Sequence, residues 1–142
     1  MSFEYDMAAD QLVLQFWSVV TSAAKATCMP GISRYELEDR LTEAHYLRGV
    51  VLARLRGATP LFRPEMTVIM KRGAKLRTNH RIPCPQRGCT YTVSRVWYIR
   101  DTTWALSFQE FAEYPDYAAK YPASCFDPVH NPPSLRLVPA LF

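Results

Sequence analysis

No stretch of this sequence is apolar for long enough to cross a bilayer as a helix. The longest candidate, Leu12 to Ala26, is interrupted by Gln15, Ser18, Thr21, Ser22 and Lys25, the composition of an amphipathic surface helix rather than of a span of ~20 apolar residues. Met-Ser-Phe-Glu-Tyr-Asp is acidic and has neither a basic start nor an apolar run, so no secretory leader is expected. A cytoplasmic protein is expected, with no membrane partner. In that reducing compartment Cys28, Cys84, Cys89 and Cys125 are expected as free thiols, although the Cys84–Cys89 separation is long enough to close a disulfide.

Catalytic signatures are lacking as well. There is no Gly-x-Ser-x-Gly elbow, no His-Glu-x-x-His and no glycine-rich phosphate loop in a chain with five glycines and three histidines. Cys28 or Cys125 with His45 or His130 has the residue types of a nucleophile and base but no motif around them. His80, Cys84, Cys89, Cys125 and His130 are the right ligand types for zinc. Their spacing lacks the Cys-x₂-Cys of a zinc knuckle, so no metal is expected. The sequence therefore reads as a binding protein, not an enzyme, and no cofactor is implied.

Acidic residues are scarce in one place only. Between residues 63 and 100 stand nine basic side chains (Arg63, Lys71, Arg72, Lys75, Arg77, Arg81, Arg87, Arg95 and Arg100) against the single Glu65. Residues 1–62 hold six basic and seven acidic groups, and residues 101–142 two and five. A net +4 chain thus carries a +8 middle, which points to an anionic partner and argues against mimicry of nucleic acid.

What is present is enough for a real core. The 142 residues are 49% hydrophobic and 21% charged, which excludes wholesale disorder and suits a single domain. Eighteen aromatics are more than average, and some are expected to line a binding surface. Residues 7–27 have helical periodicity, with Leu12, Val13, Phe16, Val19, Val20 and Ala23 as the apolar stripe and Asp6 as N-cap. Cys28-Met29-Pro30-Gly31 ends that helix. Ser33-Arg34-Tyr35-Glu36 is a capping box that starts a second one, carried by Leu37, Leu41, Ala44, Val51 and Leu55. Glu36 and Arg40 stand at i,i+4. Gly57 is the C′ residue, and Gly49 leaves open a division into two pieces.

From residue 60 the period changes to two. Residues 66–71 read as a strand, Arg72-Gly73 as a turn, and Pro83 to Gly88 as turn-forming. Thr90 to Arg100 is the best strand of the chain. Asp101-Thr102 turn it into a hairpin partner at 103–111, where Trp104, Leu106 and Phe108 share a face. Residues 112–124 read as loop, residues 123–129 as a 3₁₀ turn with a closing strand, and the tail from 130 as an extended arm. The resulting organisation is a helical segment at 1–58, a β-rich body at 59–130 and a proline-rich tail at 131–142, an α+β class.

Gln86-Arg87-Gly88-Cys89-Thr90-Tyr91-Thr92-Val93, the run Trp104 to Glu110, and Tyr121-Pro122-Ala123-Ser124-Cys125-Phe126-Asp127-Pro128-Val129 resemble the small SH3-like barrel proteins of tailed-phage and prophage genomes. Gly88, Tyr91, Thr92 and Val93 match that family's first strand, Leu106 and Glu110 its hairpin, and Ala123, Phe126, Pro128 and Val129 its closing segment. The resemblance covers residues 86–129 and implies a small antiparallel SH3-like β-barrel and a phage origin; the family lends no settled function.

Two binding roles follow. Lys71, Arg72, Lys75, Arg77, Arg81 and Arg87, with His80 beside them, are the candidates for contacting phosphates of nucleic acid or of a host nucleoprotein complex. Tyr91, Trp97 and Tyr98 would stack on bases. The alternative is a protein-interaction module, such as a phage inhibitor of a host defence or transcription complex, presenting Trp97, Tyr98 and Trp104 to a host protein. Residues 33–56 have some outline of a helix-turn-helix, with Arg34, Arg40, Arg48, Arg54 and Arg56. The acids Glu36, Glu38, Asp39 and Glu43 crowd the end that would meet bases, so these helices are expected to serve packing instead.

Overall fold

The structure is a computed structural model that describes residues 3–76, 82–114 and 119–129. Two helices precede a five-stranded antiparallel sheet. Helix α1 spans Ala9–Thr27 and α2 spans Arg34–Leu55. The strands are β1 (Thr67–Met70), β2 (Thr90–Arg100), β3 (Thr103–Phe108), β4 (Tyr121–Pro122) and β5 (Phe126–Pro128). Their spatial order is β4-β3-β2-β1-β5.

The serine half of the capping box forms, with the Glu36 N–H donating to Ser33 Oγ at 3.1 Å, while the Glu36 carboxylate turns to Arg40. Arg40 pairs with Glu36 at 2.8 Å one turn on, and Gly57 closes α2 in the left-handed region at φ +67°. Asp6 does not cap α1. The N-cap is Ala8, without a side-chain bond, because Asp6 sits in a 3₁₀ turn at Glu4–Asp6 and pairs with Arg63 instead. The α1 stripe is also rotated from the expected one. Leu12, Ala23 and Ala26 are buried, while Val13 is 59% exposed.

Helix α2 runs unbroken through Gly49. There it lies so close to β2 that a Cβ at this position would meet the Tyr98 carbonyl oxygen at 3.0 Å, so the glycine serves close approach rather than a break. Only the C-terminal half of α2 is buried, through Tyr46, Leu47, Gly49, Val50 and Ala53.

Strand β2 serves two ladders. Thr90–Thr92 pair with β1 and Val93–Arg100 with β3, with register shifts at Val93/Arg95 and Tyr98/Arg100. Beyond Val93, whose backbone still bonds Met66 and Glu65, the β1 edge of β2 has no strand partner among the described residues, and the N-terminal segment fills part of it. Tyr5 Oη donates to the Val96 carbonyl at 3.2 Å and accepts from the Tyr98 N–H at 3.1 Å. The helical and β segments consequently share one core, in which Phe3, Tyr5, Leu12, Tyr46, Leu47 and Val50 lie with Val68, Val93, Trp97, Leu106, Phe108 and Phe126.

The hairpin 90–108 and its buried Val93, Leu106 and Phe108 match the sequence pattern, as does the Ala123–Cys125 3₁₀ turn leading into β5. Strand β3 is shorter than expected. After Phe108 the chain enters a 3₁₀ turn at Gln109–Phe111, and Glu110 Oε1 accepts the Thr92 N–H at 2.8 Å. No ladder joins β4 to β5, so the sheet is open in its hydrogen bonding. No described helix is long and apolar enough to cross a membrane. The tail from residue 130 lies outside the described residues.

Candidate nucleic-acid interface

The connection from β1 to β2 is the most basic segment of the chain, and the described parts of it are tied into one unit. Lys71 N–H donates to the Cys125 carbonyl, Ala74 N–H to the Lys71 carbonyl, and Gly88 N–H to the Met70 carbonyl, at 2.9, 3.1 and 2.9 Å. Arg87 Nε donates to the Ala74 carbonyl at 2.8 Å. That bond draws Arg87 across the connection to the Arg72–Lys75 stretch. Gly88, at φ +79°, takes the left-handed turn that a side chain would oppose.

Lys71, Arg72, Lys75 and Arg87 are all exposed. Lys71 lies 3.7 Å from Asp127 of β5, a solvent-exposed pair of little energetic consequence. Arg77, His80 and Arg81 lie outside the described residues. Of the remaining bases in the +8 segment, two are engaged in packing. Arg63 pairs with Asp6 and stacks over Phe3 at 4.7 Å. Arg95 bonds Glu43 at 2.7 Å and lies 4.3 Å over the Tyr46 ring. Arg95 serves the α2–β2 junction, whereas Arg63 stays exposed and is tied to the N-terminal segment.

The aromatic half of the sequence reading is corrected. Trp97 and Tyr98 are buried, at 2% and 6% exposure, and neither can stack on a base or present a face to a host protein. Trp97 meets Tyr46 edge-on at 5.0 Å and donates through Nε1 to Ser107 Oγ at 2.9 Å. Tyr98 is edge-on to Trp104 at 5.0 Å, and its hydroxyl meets Arg56 at 3.2 Å. Successive strand residues point to opposite faces: Trp97 is covered by Tyr46 of α2, and Tyr98 by Trp104 and Arg56. Tyr91 is half-buried among Phe108, Phe111 and Phe126, and its hydroxyl accepts the Gln86 N–H at 2.7 Å, so it braces the basic connection from beneath.

Trp104 alone of the alternative set keeps a partly open position. It lines an apolar groove of 710 Å³ with Leu61, Phe62, Met66 and Phe126.

The arginines of α2 serve structure. Arg34 and Arg40 pair with Glu38 and Glu36, Arg54 donates to the Tyr5 and Met7 carbonyls, and Arg56 meets Tyr98. Arg48, the fifth of the set, is exposed.

Among the described residues no three His, Cys, Asp or Glu side chains converge as metal ligands; His80 and His130 lie outside them. Cys28, Cys84, Cys89 and Cys125 are free thiols, Cys125 buried and the others exposed. Burial pushes the Tyr5 and Tyr46 phenols well above their ordinary range and Tyr121 up to about 12, so all three are neutral hydrogen-bonding groups at neutral pH. Partial desolvation and the charges of Lys120 and Arg48 lower His45.

Sequence reasoning missed Trp17, which is 72% exposed on α1. The helical wheel contained the signal, since Trp17 falls outside the stripe that holds Leu12 and Ala23. No protein-family model matches this chain, and neither a curated protein nor a solved structure does.

Proposed function

We propose that this protein is a non-enzymatic, phage-type accessory protein of the host cytoplasm, binding nucleic acid or a host nucleoprotein complex through the connection between β1 and β2. The observation that carries the reading is the Arg87–Ala74 bond. It holds Arg87 against the stretch bearing Arg72 and Lys75, so cations separated along the sequence gather on one exposed connection, where Lys71 also lies near Asp127. Guanidinium and ammonium groups so placed neutralise phosphates and release counterions. With Trp97 and Tyr98 buried, the recognition is electrostatic, through the backbone of the nucleic acid rather than by base stacking.

The same proposal takes the sheet as an SH3-like barrel. Strands β4 and β5 stand at opposite ends of the strand order, yet only the 3₁₀ turn Ala123–Cys125 separates them in sequence. Three residues at about 2 Å rise each span so little that the two edges must curl toward one another. The support is topological, since no ladder closes the gap.

The test is a salt titration of affinity for single- and double-stranded DNA and RNA. Each phosphate contact contributes roughly 0.7 to 0.9 to the slope of log affinity against log salt, so Arg72→Ala with Lys75→Ala is expected to flatten it by about 1.5. Failure of the parent protein to retard any of these polymers at low salt refutes the reading. An unchanged slope in the double variant refutes its location.

A further inference from the structure

The outer face of α1 is apolar and uncovered among the described residues. Val13, Trp17 and the half-buried Val20 recur at i, i+4 and i+7. Val13 is 59% exposed, Trp17 72% and the adjoining Leu14 70%. The opposite side of the helix, with Leu12, Ala23 and Ala26, is buried. Single exposed apolar residues are ordinary; an aligned stripe with a tryptophan at its middle is the surface a second helix covers.

The charges at its ends select the partner. Asp10 lies near one end of the stripe and Lys25 near the other, and neither has an ion-pair partner among the described residues. We propose that α1 is a self-association surface: two copies of this chain pair α1 with α1, antiparallel about a two-fold axis at Trp17, with Asp10 of each copy meeting the partner's Lys25.

The helix geometry fits this arrangement. With the axis at Trp17, Asp10 is level with position 24 of the other copy, about 1.5 Å from the level of the partner's Lys25. At 3.6 residues per turn, Asp10 and Lys25 lie about 20° and 80° from Trp17 in the same rotational sense. A two-fold axis across an antiparallel pair keeps that side in register, so the carboxylate and ammonium approach one another at both ends of the interface. A parallel pairing would set Asp10 beside Asp10 and Lys25 beside Lys25, so like-charge repulsion disfavours it.

The contact is modest. A helix of 19 residues is about 28 Å long and ~10 Å wide, and its footprint is well below the roughly 800 Å² per partner of a standard interface. The dimer is therefore reversible and concentration-dependent. Because the basic connection takes no part in it, this inference stands or falls separately from nucleic-acid binding.

The test is sedimentation equilibrium of the full chain over a concentration series. The mass is expected to rise from the 16.3 kDa of one chain toward twice that value. Trp17→Glu is expected to hold the monomer mass at every concentration, with the circular dichroism and melting temperature of the parent, since Trp17 contributes little to the core. Asp10→Lys is expected to weaken association, and adding Lys25→Glu to restore it. Monomer mass for the parent at all concentrations overturns the proposal, including the case in which the stripe serves a different protein or a lipid surface. So does a Trp17→Glu mass curve matching the parent's, or a double charge swap that recovers nothing.

Discussion

Replacing Tyr5 by Phe removes one oxygen atom and is expected to destabilise the protein out of proportion to that change. The Tyr5 hydroxyl serves two backbone groups of β2, accepting from the Tyr98 N–H and donating to the Val96 carbonyl. Residues 96 and 98 turn these groups toward the edge that β1, paired only with Thr90–Thr92, does not reach. The site is buried, with Tyr5 at 6% exposure, Val96 at 0% and Tyr98 at 6%, so water does not replace the phenol. Leaving a buried donor or acceptor unpaired costs about 1–3 kcal/mol. With two groups affected and some local relaxation, the expected loss is roughly 2–4 kcal/mol. That is a large share of a total stability on the order of 5–15 kcal/mol. Urea denaturation reads it as a lower midpoint at unchanged slope, and hydrogen exchange as lost protection of the Tyr98 amide. A midpoint within error of the parent's, or an equally protected Tyr98 amide, refutes the claim that Tyr5 completes this edge.

Gly49→Val is expected to destabilise by about 3 kcal/mol, the upper range for overpacking, because the first added carbon already meets the Tyr98 carbonyl at 3.0 Å; a thermal midpoint equal to the parent's would show that α2 can move off β2 freely. Stability is also expected to depend on His45. His45 is exposed, and partial desolvation with the charges of Lys120 and Arg48 lowers its folded-state pKa, so the unfolded chain binds its proton first, and stability is lost as pH falls through the unfolded value of about 6.5 toward the folded one. His45→Gln is expected to melt with a smaller drop between about pH 7.5 and pH 5 than the parent, and equal drops would refute the assignment.

Much of the fold was legible from local pattern. The N-cap at Ser33, the β-branched alternation of Thr90–Arg100 and the tight turn at Asp101-Thr102 are decided within a few residues, and the structure has each where the sequence placed it. So is the +8 charge of residues 63–100, which belongs to composition. Which cations are taken into ion pairs with distant segments was not legible. Arg63 and Arg95 have the same chemistry as Arg72, and only the approach of Asp6 and Glu43 from distant segments turns them to structural use.

The aromatics divide the same way. Alternation along a strand tells which residues share a face, but not whether anything covers it. Trp97 and Tyr98 became core because Gly49 lets α2 press onto β2 and because Tyr5 arrives from the far end of the chain. Trp17 stayed exposed because α1 packs on α2 through its opposite side. The sequence by itself determined the helices, the hairpin and the charge of the middle segment, all set by short-range periodicity and capping. The tertiary structure alone decided which aromatic residues are core and which cations are tied into ion pairs, because burial and pairing are created by segments tens of residues apart.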